Sequence, residues 1–146
     1  MKHNPIQLPV EARKLLAAFF PGFDLDRICV YQYIPWYVTG KPQGYADRYN
    51  IYLIPGAYCV DSIEGLALLA HEIAHCLQYR KHGTWRFRAR YLASYFKNRL
   101  RGMSRREAYL NIPFEIEARE IEAKVYLVLR RSGEGNCKDL KFEIEI

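Results

Sequence analysis

The pentapeptide His-Glu-Ile-Ala-His at residues 71–75 constrains the fold of this chain more than any other feature. It lies inside an apolar stretch, residues 65–77, which favours a helix. Residues four apart lie on the same face of an α-helix, so His71 and His75 can bind a single metal ion. Glu72, about 100° further round the helix, can then hold a water molecule activated by that metal.

The sequence also indicates where this helix begins. Asp61 and Ser62 are both favoured N-cap residues and Glu64 follows them, so a helix that starts at Asp61-Ser62 has residues 71–75 near its middle. The alternative is a buried amphipathic helix whose histidines are core residues with ordinary hydrogen-bond partners. That alternative buries three polar groups in an apolar helix with no ion to pair them, so we favour a zinc site.

A catalytic zinc ion needs a third protein ligand. One known pattern places a third histidine ten residues after the first, but that position is Lys81. His82 is out of register by one residue, and we predict that it lies at the surface near the end of the helix. The third ligand must therefore come from elsewhere in the chain.

A second helix, predicted to begin at Pro113 and to continue through residues 125–129, offers glutamates as the third ligand. Glu115 shares a helix face with the small residue Ala118, which lets two helices approach closely. We therefore favour Glu115 as the metal ligand, with Glu117 as the second candidate. The alternative is that these glutamates form a solvated acidic face.

Two segments together resemble the gluzincin metallopeptidases. They are residues 71–78, His-Glu-Ile-Ala-His-Cys-Leu-Gln, and residues 113–118, Pro-Phe-Glu-Ile-Glu-Ala. Within that group the pattern resembles the compact zincin-like domain of proteins associated with extracellular contractile injection systems, which reads H-E-x-x-H-x-x-Q and then E-x-E-A-D. The resemblance extends from about residue 8 to about residue 129, which is most of the chain.

The resemblance implies that Glu115 is the third metal ligand, together with His71 and His75. It also implies an Asp four residues later that supports a ligand histidine. This chain has Arg119 at that position. The sequence therefore does not assign the residue that supports the ligand histidine, and it leaves open whether the site is catalytically active.

The resemblance implies a zinc-dependent metallopeptidase in which a metal-activated water hydrolyses a peptide bond with Glu72 as the general base. Tyr109 or Tyr95 is expected to stabilise the developing negative charge, and the sequence does not choose between them. One alternative is a zinc-binding but catalytically weak module or cargo of a larger assembly.

The expected fold is a small, single-domain, zincin-like α+β fold over residues 1–146, mostly helical, with a small sheet beside the metal-binding helix. Periodicity predicts a first helix, a loop, and two strands. The predicted ranges are helix 10–20, strand 27–34, loop 35–47, strand 49–54 and a late strand at 140–146. The resemblance implies that the strand just before the metal-binding helix lies along the cleft and pairs with an extended peptide; the alternative is an ordinary interior strand.

A basic segment at residues 80–106 contributes much of the net charge of +6. Aromatic residues interleave with the arginines, so a nucleic-acid-binding face is a second alternative function. Phe87, Tyr91 and Tyr95 nevertheless follow a four-residue spacing, which favours a helix with aromatics packed inward and arginines in solvent.

Composition and sequence pattern also limit the expected partners and the expected cellular compartment. The N-terminus lacks the apolar core of a secretory signal, so we expect a cytoplasmic protein unless it is exported by a non-classical route. No uncharged apolar stretch of about 18 residues exists, and we expect no membrane partner. The four cysteines, Cys29, Cys59, Cys76 and Cys137, have no C-x-x-C spacing and are expected to be thiols. The expected partner is a peptide or protein substrate.

Overall fold

A computed structural model provides the structure of the chain and describes residues 4–133. Within that range it contains a four-stranded sheet and five α-helices, which confirms the α+β class with helices dominating. The strands are β1 (Ile6–Gln7), β2 (Cys29–Tyr31), β3 (Gly44–Asp47) and β4 (Asn50–Leu53). The helices are α1 (Val10–Ala17), α2 (Ile63–His82), α3 (Thr84–Leu100), α4 (Arg105–Leu110) and α5 (Pro113–Ser132), and a short 3-10 turn covers Leu25–Arg27.

The sheet has the strand order β1-β2-β4-β3, with β2 parallel to β4 and the other pairs antiparallel. Val30 pairs with Ile51, and both side chains are fully buried in the core. Their neighbours Tyr31 and Tyr52 also pair and stack at 5.0 Å on the other side, where they stay partly exposed. The two-residue period of a strand thus gives the sheet a core face and an aromatic outer face.

Helix α2 is the centre of the fold and is buried on most of its surface. Ser62 is its N-cap, as predicted, and its side chain accepts a hydrogen bond from the Gly65 amide at 2.9 Å. Gly65 is required because a Cβ there would lie 1.8 Å from the carbonyl oxygen of Cys59. The start of the helix is therefore held against the preceding loop.

Helix α5 packs along α2 in the opposite direction, because residues 71 and 122 meet near one end and residues 78 and 114 near the other. The α5 face toward α2 follows a three- and four-residue spacing. Its buried residues are Glu115, Ala118, Val125 and Leu129. Ala118 is completely buried, as expected for a small residue at a close helix contact.

The structure corrects several predicted ranges. Helix α1 ends at Ala17 and strand β2 covers only three residues, so both are shorter than predicted. Predicting a loop over residues 35–47 was wrong, because Gly44–Asp47 forms strand β3. This segment has low intrinsic strand propensity, and its partners in β4 and α2 decide its conformation.

Two further elements were not predicted. Strand β1 is only two residues long, and α4 begins at a capping box between Ser104 and Glu107. The Ser-x-x-Glu spacing was the available signal for α4. The predicted strand at 140–146 and Cys137 lie outside the described residues, whereas Cys29, Cys59 and Cys76 are free thiols. Among residues 4–133 no helix is both long and apolar enough to cross a membrane.

Candidate metal centre

The structure brings His71, His75 and Glu115 together as a buried cluster. One ligand atom from each residue lies within 4.8 Å of the other two. The Nε2 atom of His71 is 3.2 Å from Glu115 Oε2, and the Nε2 atom of His75 is 3.3 Å from Glu115 Oε1. Glu115 is only 2% exposed, although it is a carboxylate on a helix in a small protein. These three residues can therefore hold a metal ion.

Each histidine has its other ring nitrogen held by a partner. The Nδ1 atom of His71 donates to Glu122 Oε2 at 2.8 Å, and the Nδ1 atom of His75 donates to Gln78 Oε1 at 2.8 Å. A proton on Nδ1 leaves the lone pair on Nε2, which is the atom that faces Glu115. The two partners thus orient both imidazoles for binding one ion.

Gln78 connects this support to helix α5. Its amide nitrogen donates to the backbone carbonyl of Phe114 at 3.0 Å and to the Glu117 side chain at 2.8 Å. The residue is 3% exposed, and these bonds satisfy both its donor and acceptor groups. Gln78 therefore ties the ring of His75 to the first turn of the helix that supplies Glu115.

Tyr91 on α3 orients the third member of the cluster. Its hydroxyl donates to Glu115 Oε1 at 2.7 Å, whereas Glu115 Oε2 is buried and faces the Nε2 atom of His71 at 3.2 Å. A buried carboxylate oxygen needs a proton donor or a cation beside it, and a metal ion can take the place of the His71 proton. We infer that Oε2 is the oxygen available to a metal.

The three side chains lie close enough together to share one small ion. The Nε2 atoms of His71 and His75 lie 3.2 and 3.3 Å from Oε2 and Oε1 of Glu115, respectively, and one ligand atom from each residue lies within 4.8 Å of the other two. Two imidazoles and one carboxylate also leave a fourth position for water or substrate, which is the arrangement of a catalytic site.

The charges of the cluster agree with a site built for a cation. Burial disfavours the charged form of His71, but its bonds to Glu115 and Glu122 outweigh burial and raise its pKa to about 10. Burial likewise opposes ionisation of Glu115, and the two imidazoles overcome it and lower the pKa of that carboxyl. Without a metal, protons on the histidines therefore neutralise the carboxylates, and a metal ion must displace them to bind.

Glu72 lies beside the cluster on the same helix. It is 4% exposed, and burial raises the pKa of its carboxyl although His75 and His71 lie nearby and act in the opposite direction. A carboxylate whose pKa is raised toward the working pH can both accept and return a proton. The helical period thus places a candidate general base next to the cluster, as the sequence predicted.

Strand β3 approaches Glu72 closely at one residue. A Cβ added to Gly44 would lie 2.5 Å from Glu72 Oε1, so only glycine leaves this carboxylate in its position. Within residues 4–133, strand β3 is an edge strand of the sheet, whereas β4 is paired on both sides. The strand just before α2 is therefore interior, which is the alternative considered above, and the strand edge beside Glu72 belongs to β3.

Of the other candidate residues, Glu117, His82 and Tyr95 lie outside the cluster and only Tyr109 lies near it. Glu117 points to Gln78, and its side chain is not among the clustered ligand atoms. His82 is half-buried and its ring packs 5.2 Å from Phe114. Of the two proposed oxyanion donors, Tyr109 lies close enough to Glu115 that burial and the charge of that carboxylate raise its pKa, whereas Tyr95 packs against Phe96.

Arg119, the departure from the expected Asp, does not contact either histidine. Its guanidinium donates to the carbonyl of Leu110 and so ties α5 to the end of α4. Glu122, one helical turn later, supplies the carboxylate that supports His71. Glu122, Gln78 and Tyr91 were not assigned as supporting residues from the sequence. Their residue types and helical spacing were the only local signals.

Removal of the Glu122 carboxylate should weaken metal binding. We expect Glu122→Gln to lower zinc affinity about 10- to 100-fold, because the neutral amide holds the ring of His71 less firmly and makes its Nε2 less basic. Competition with a fluorescent zinc chelator measures the affinity. The matched control is Glu120→Gln, an exposed residue of the same helix, which should bind zinc like the wild type. Equal affinities in both variants would contradict this role of Glu122.

Comparison with known proteins finds one related family. Residues 38–83 match a family model described as the eCIS core domain. The match covers less than half of the chain, and it includes β3, β4 and α2 with both histidines and Glu72. It supports a relation to proteins associated with extracellular contractile injection systems. No curated protein and no solved structure matches the chain.

Proposed function

We propose that this chain is a gluzincin-type zinc metallopeptidase that hydrolyses peptide bonds. One observation carries the proposal: a buried His-His-Glu cluster has Glu72 on one side and, within residues 4–133, an edge strand of the sheet beside it. Zinc bound by His71, His75 and Glu115 would supply Lewis-acid activation of water and of the substrate carbonyl. Two imidazoles and a carboxylate also suit zinc better than magnesium or calcium.

Glu72, Tyr109 and strand β3 have the other proposed roles in the reaction. Glu72 takes the proton from the attacking water and returns it to the leaving amine. Tyr109 is our proposed hydrogen-bond donor to the negative charge that develops on the carbonyl oxygen. An extended substrate would pair with the free edge of β3, whose backbone passes beside Glu72 at Gly44. Strand pairing would hold the scissile bond near the general base.

A hydrolysis assay tests this proposal directly. An unstructured protein such as casein should be cleaved by the purified chain, lose cleavage after treatment with a zinc chelator, and regain it with about one added zinc ion per chain. Cleavage that persists after complete removal of zinc would contradict a metallopeptidase. New peptide termini, identified by mass spectrometry, would give the cleavage preference.

The second candidate is a zinc-binding module or cargo of an injection system without strong catalytic activity. The match of residues 38–83 to the eCIS core domain favours it, because that name describes a component and not a reaction. This candidate predicts bound zinc together with no cleavage that depends on Glu72. The same preparations therefore distinguish the two functions.

Substitution of Gly44 should separate metal binding from catalysis. We expect Gly44→Ala to retain zinc and to lose about a hundredfold in hydrolysis rate, because the new methyl group displaces the Glu72 carboxylate from its working position. Zinc content and hydrolysis rate are measured on the same sample. The matched control is Gly133→Ala, where a Cβ meets only ordinary contacts at 3.6 Å. An unchanged rate in Gly44→Ala would contradict this placement of Glu72.

A further inference from the structure

The outer face of α3 carries large apolar side chains in solvent. Trp85, Leu92, Phe96 and Leu100 are 80%, 54%, 59% and 89% exposed, respectively. Their spacing of seven, four and four residues places them on one face of the helix, which we call the outer stripe of α3. A folded protein seldom leaves four large apolar residues aligned in water without a partner.

The opposite face of α3 already has its partners. Phe87 and Asn98 are buried, Asn98 donates to the Ala108 carbonyl, and Tyr91 donates to Glu115. The helix is thus held to the rest of the fold by one face. The outer stripe is not needed to close the core or to build the metal centre.

The sides of the outer stripe are basic and contain no acid. Helix α3 has no Asp or Glu in its sequence. By the helical period, Arg86, Arg90 and Lys97 lie along one side of the stripe, and Arg99 lies along the other. Within residues 4–133 these four side chains form no ion pair, whereas Arg88 bonds to Asp47. Arg99 donates to the Met103 carbonyl and Arg90 contacts the His82 ring, but neither contact is with an acidic group, so the positive charges remain available to a negative surface.

An apolar stripe flanked by basic side chains, three on one side and Arg99 on the other, matches the interface of an anionic membrane. Apolar side chains enter the boundary between headgroups and acyl chains, while Lys and Arg remain among the lipid phosphates. Tryptophan prefers the same depth. The phosphates of a nucleic acid would pair with the basic side chains, but a nucleic acid would not bury Leu92 or Leu100. We propose that the outer stripe of α3 docks on an anionic lipid surface.

This proposal is independent of the proposed peptidase function. It departs from the expectation of no membrane partner, which rested only on the lack of a membrane-spanning stretch. A helix that lies in the interface needs no such stretch. The outer stripe faces away from Glu115, so lipid binding should be equal in wild type and in a chain that lacks catalytic activity.

Tryptophan fluorescence tests the contact with little change to the chain. The protein has two tryptophans, and Trp36→Phe leaves Trp85 as the single reporter. Vesicles of phosphatidylcholine with phosphatidylglycerol should shift its emission to shorter wavelength, and lipids brominated in the acyl chains should quench it. Vesicles of phosphatidylcholine alone should do neither. No shift and no quenching with anionic vesicles at low salt would overturn the proposal.

Vesicle flotation with variants identifies the residues involved. Phe96→Ser and Leu100→Ser should each lower partitioning to anionic vesicles about tenfold. The matched controls, Leu127→Ser on α5 and Val10→Ser on α1, remove exposed apolar side chains elsewhere and should have no effect. Arg90→Gln and Lys97→Gln should each lower partitioning about fivefold.

Two other occupants of the outer stripe would give different results. A nucleic-acid-binding face would retain single-stranded DNA with strong salt dependence and would not bind vesicles. A contact between two copies of the chain would give a dimer without vesicles that Phe96→Ser dissociates. Either result, without partitioning to anionic vesicles, would overturn the lipid proposal.

Discussion

Glu72→Gln is expected to keep about one zinc ion per chain and to lose about a thousandfold in hydrolysis rate. Glu72 is not one of the three clustered ligand residues, so the metal should remain. The amide has the size of the carboxylate but cannot accept the proton of the attacking water. Steady-state cleavage of a fluorogenic peptide, with zinc measured on the same sample, tests the expectation.

The matched control for this variant lies on the same helix. Glu64→Gln changes an exposed residue in the first turn of α2 and should leave zinc content and rate unchanged. If Glu72→Gln cleaves as fast as the wild type, Glu72 is not the general base. If neither protein cleaves any substrate while both bind zinc, the chain is the catalytically weak module described above.

Glu115→Gln is expected to weaken zinc binding by more than the roughly 10- to 100-fold loss expected for a residue that only supports a ligand. It removes the charge of the third ligand and leaves two imidazoles, which do not make a complete catalytic site. The side chain is 2% exposed and the amide has nearly the same volume, so circular dichroism should show a folded chain. Zinc content after gel filtration and a chelator competition measure the loss.

Glu117→Gln distinguishes the two candidate ligands predicted from the sequence. Glu117 only accepts a hydrogen bond from Gln78, so this variant should keep stoichiometric zinc. Glu120→Gln, exposed on the same helix, is the neutral control. Stoichiometric zinc at wild-type affinity in Glu115→Gln, together with loss in Glu117→Gln, would reverse the assignment.

Helix α5 shows why the choice between these two glutamates was open. They lie two residues apart, so about 200° of helical rotation separates them, and either can face α2. The rotation of α5 depends on which of its residues enter the core. Ala118, Val125 and Leu129 are buried, and they share a face with Glu115. Apolar packing along the whole helix therefore decides that Glu115, and not Glu117, joins the two histidines.

The support of His71 and of Glu115 depends on contacts between residues far apart in the chain, whereas Gln78 supports His75 from only three residues away. Glu122 is 51 residues from His71, and Tyr91 is 24 residues from Glu115. No local spacing relates these residues. Arg119 occupies the position where the resemblance implied support, and its guanidinium instead ties two helices together.

What the sequence determined by itself is the helix that carries His71, Glu72 and His75. His71, His75 and Glu72 depend on the helical period alone, and Ser62 marks the start of the helix by local capping chemistry. Tertiary structure decided which glutamate completes the cluster, which residues orient the imidazoles, and that β3 and not β4 is the strand edge beside Glu72. The physical reason is range: helical periodicity and capping act over about four residues, whereas strand order and helix rotation follow from burial of apolar surface by segments far apart in the chain.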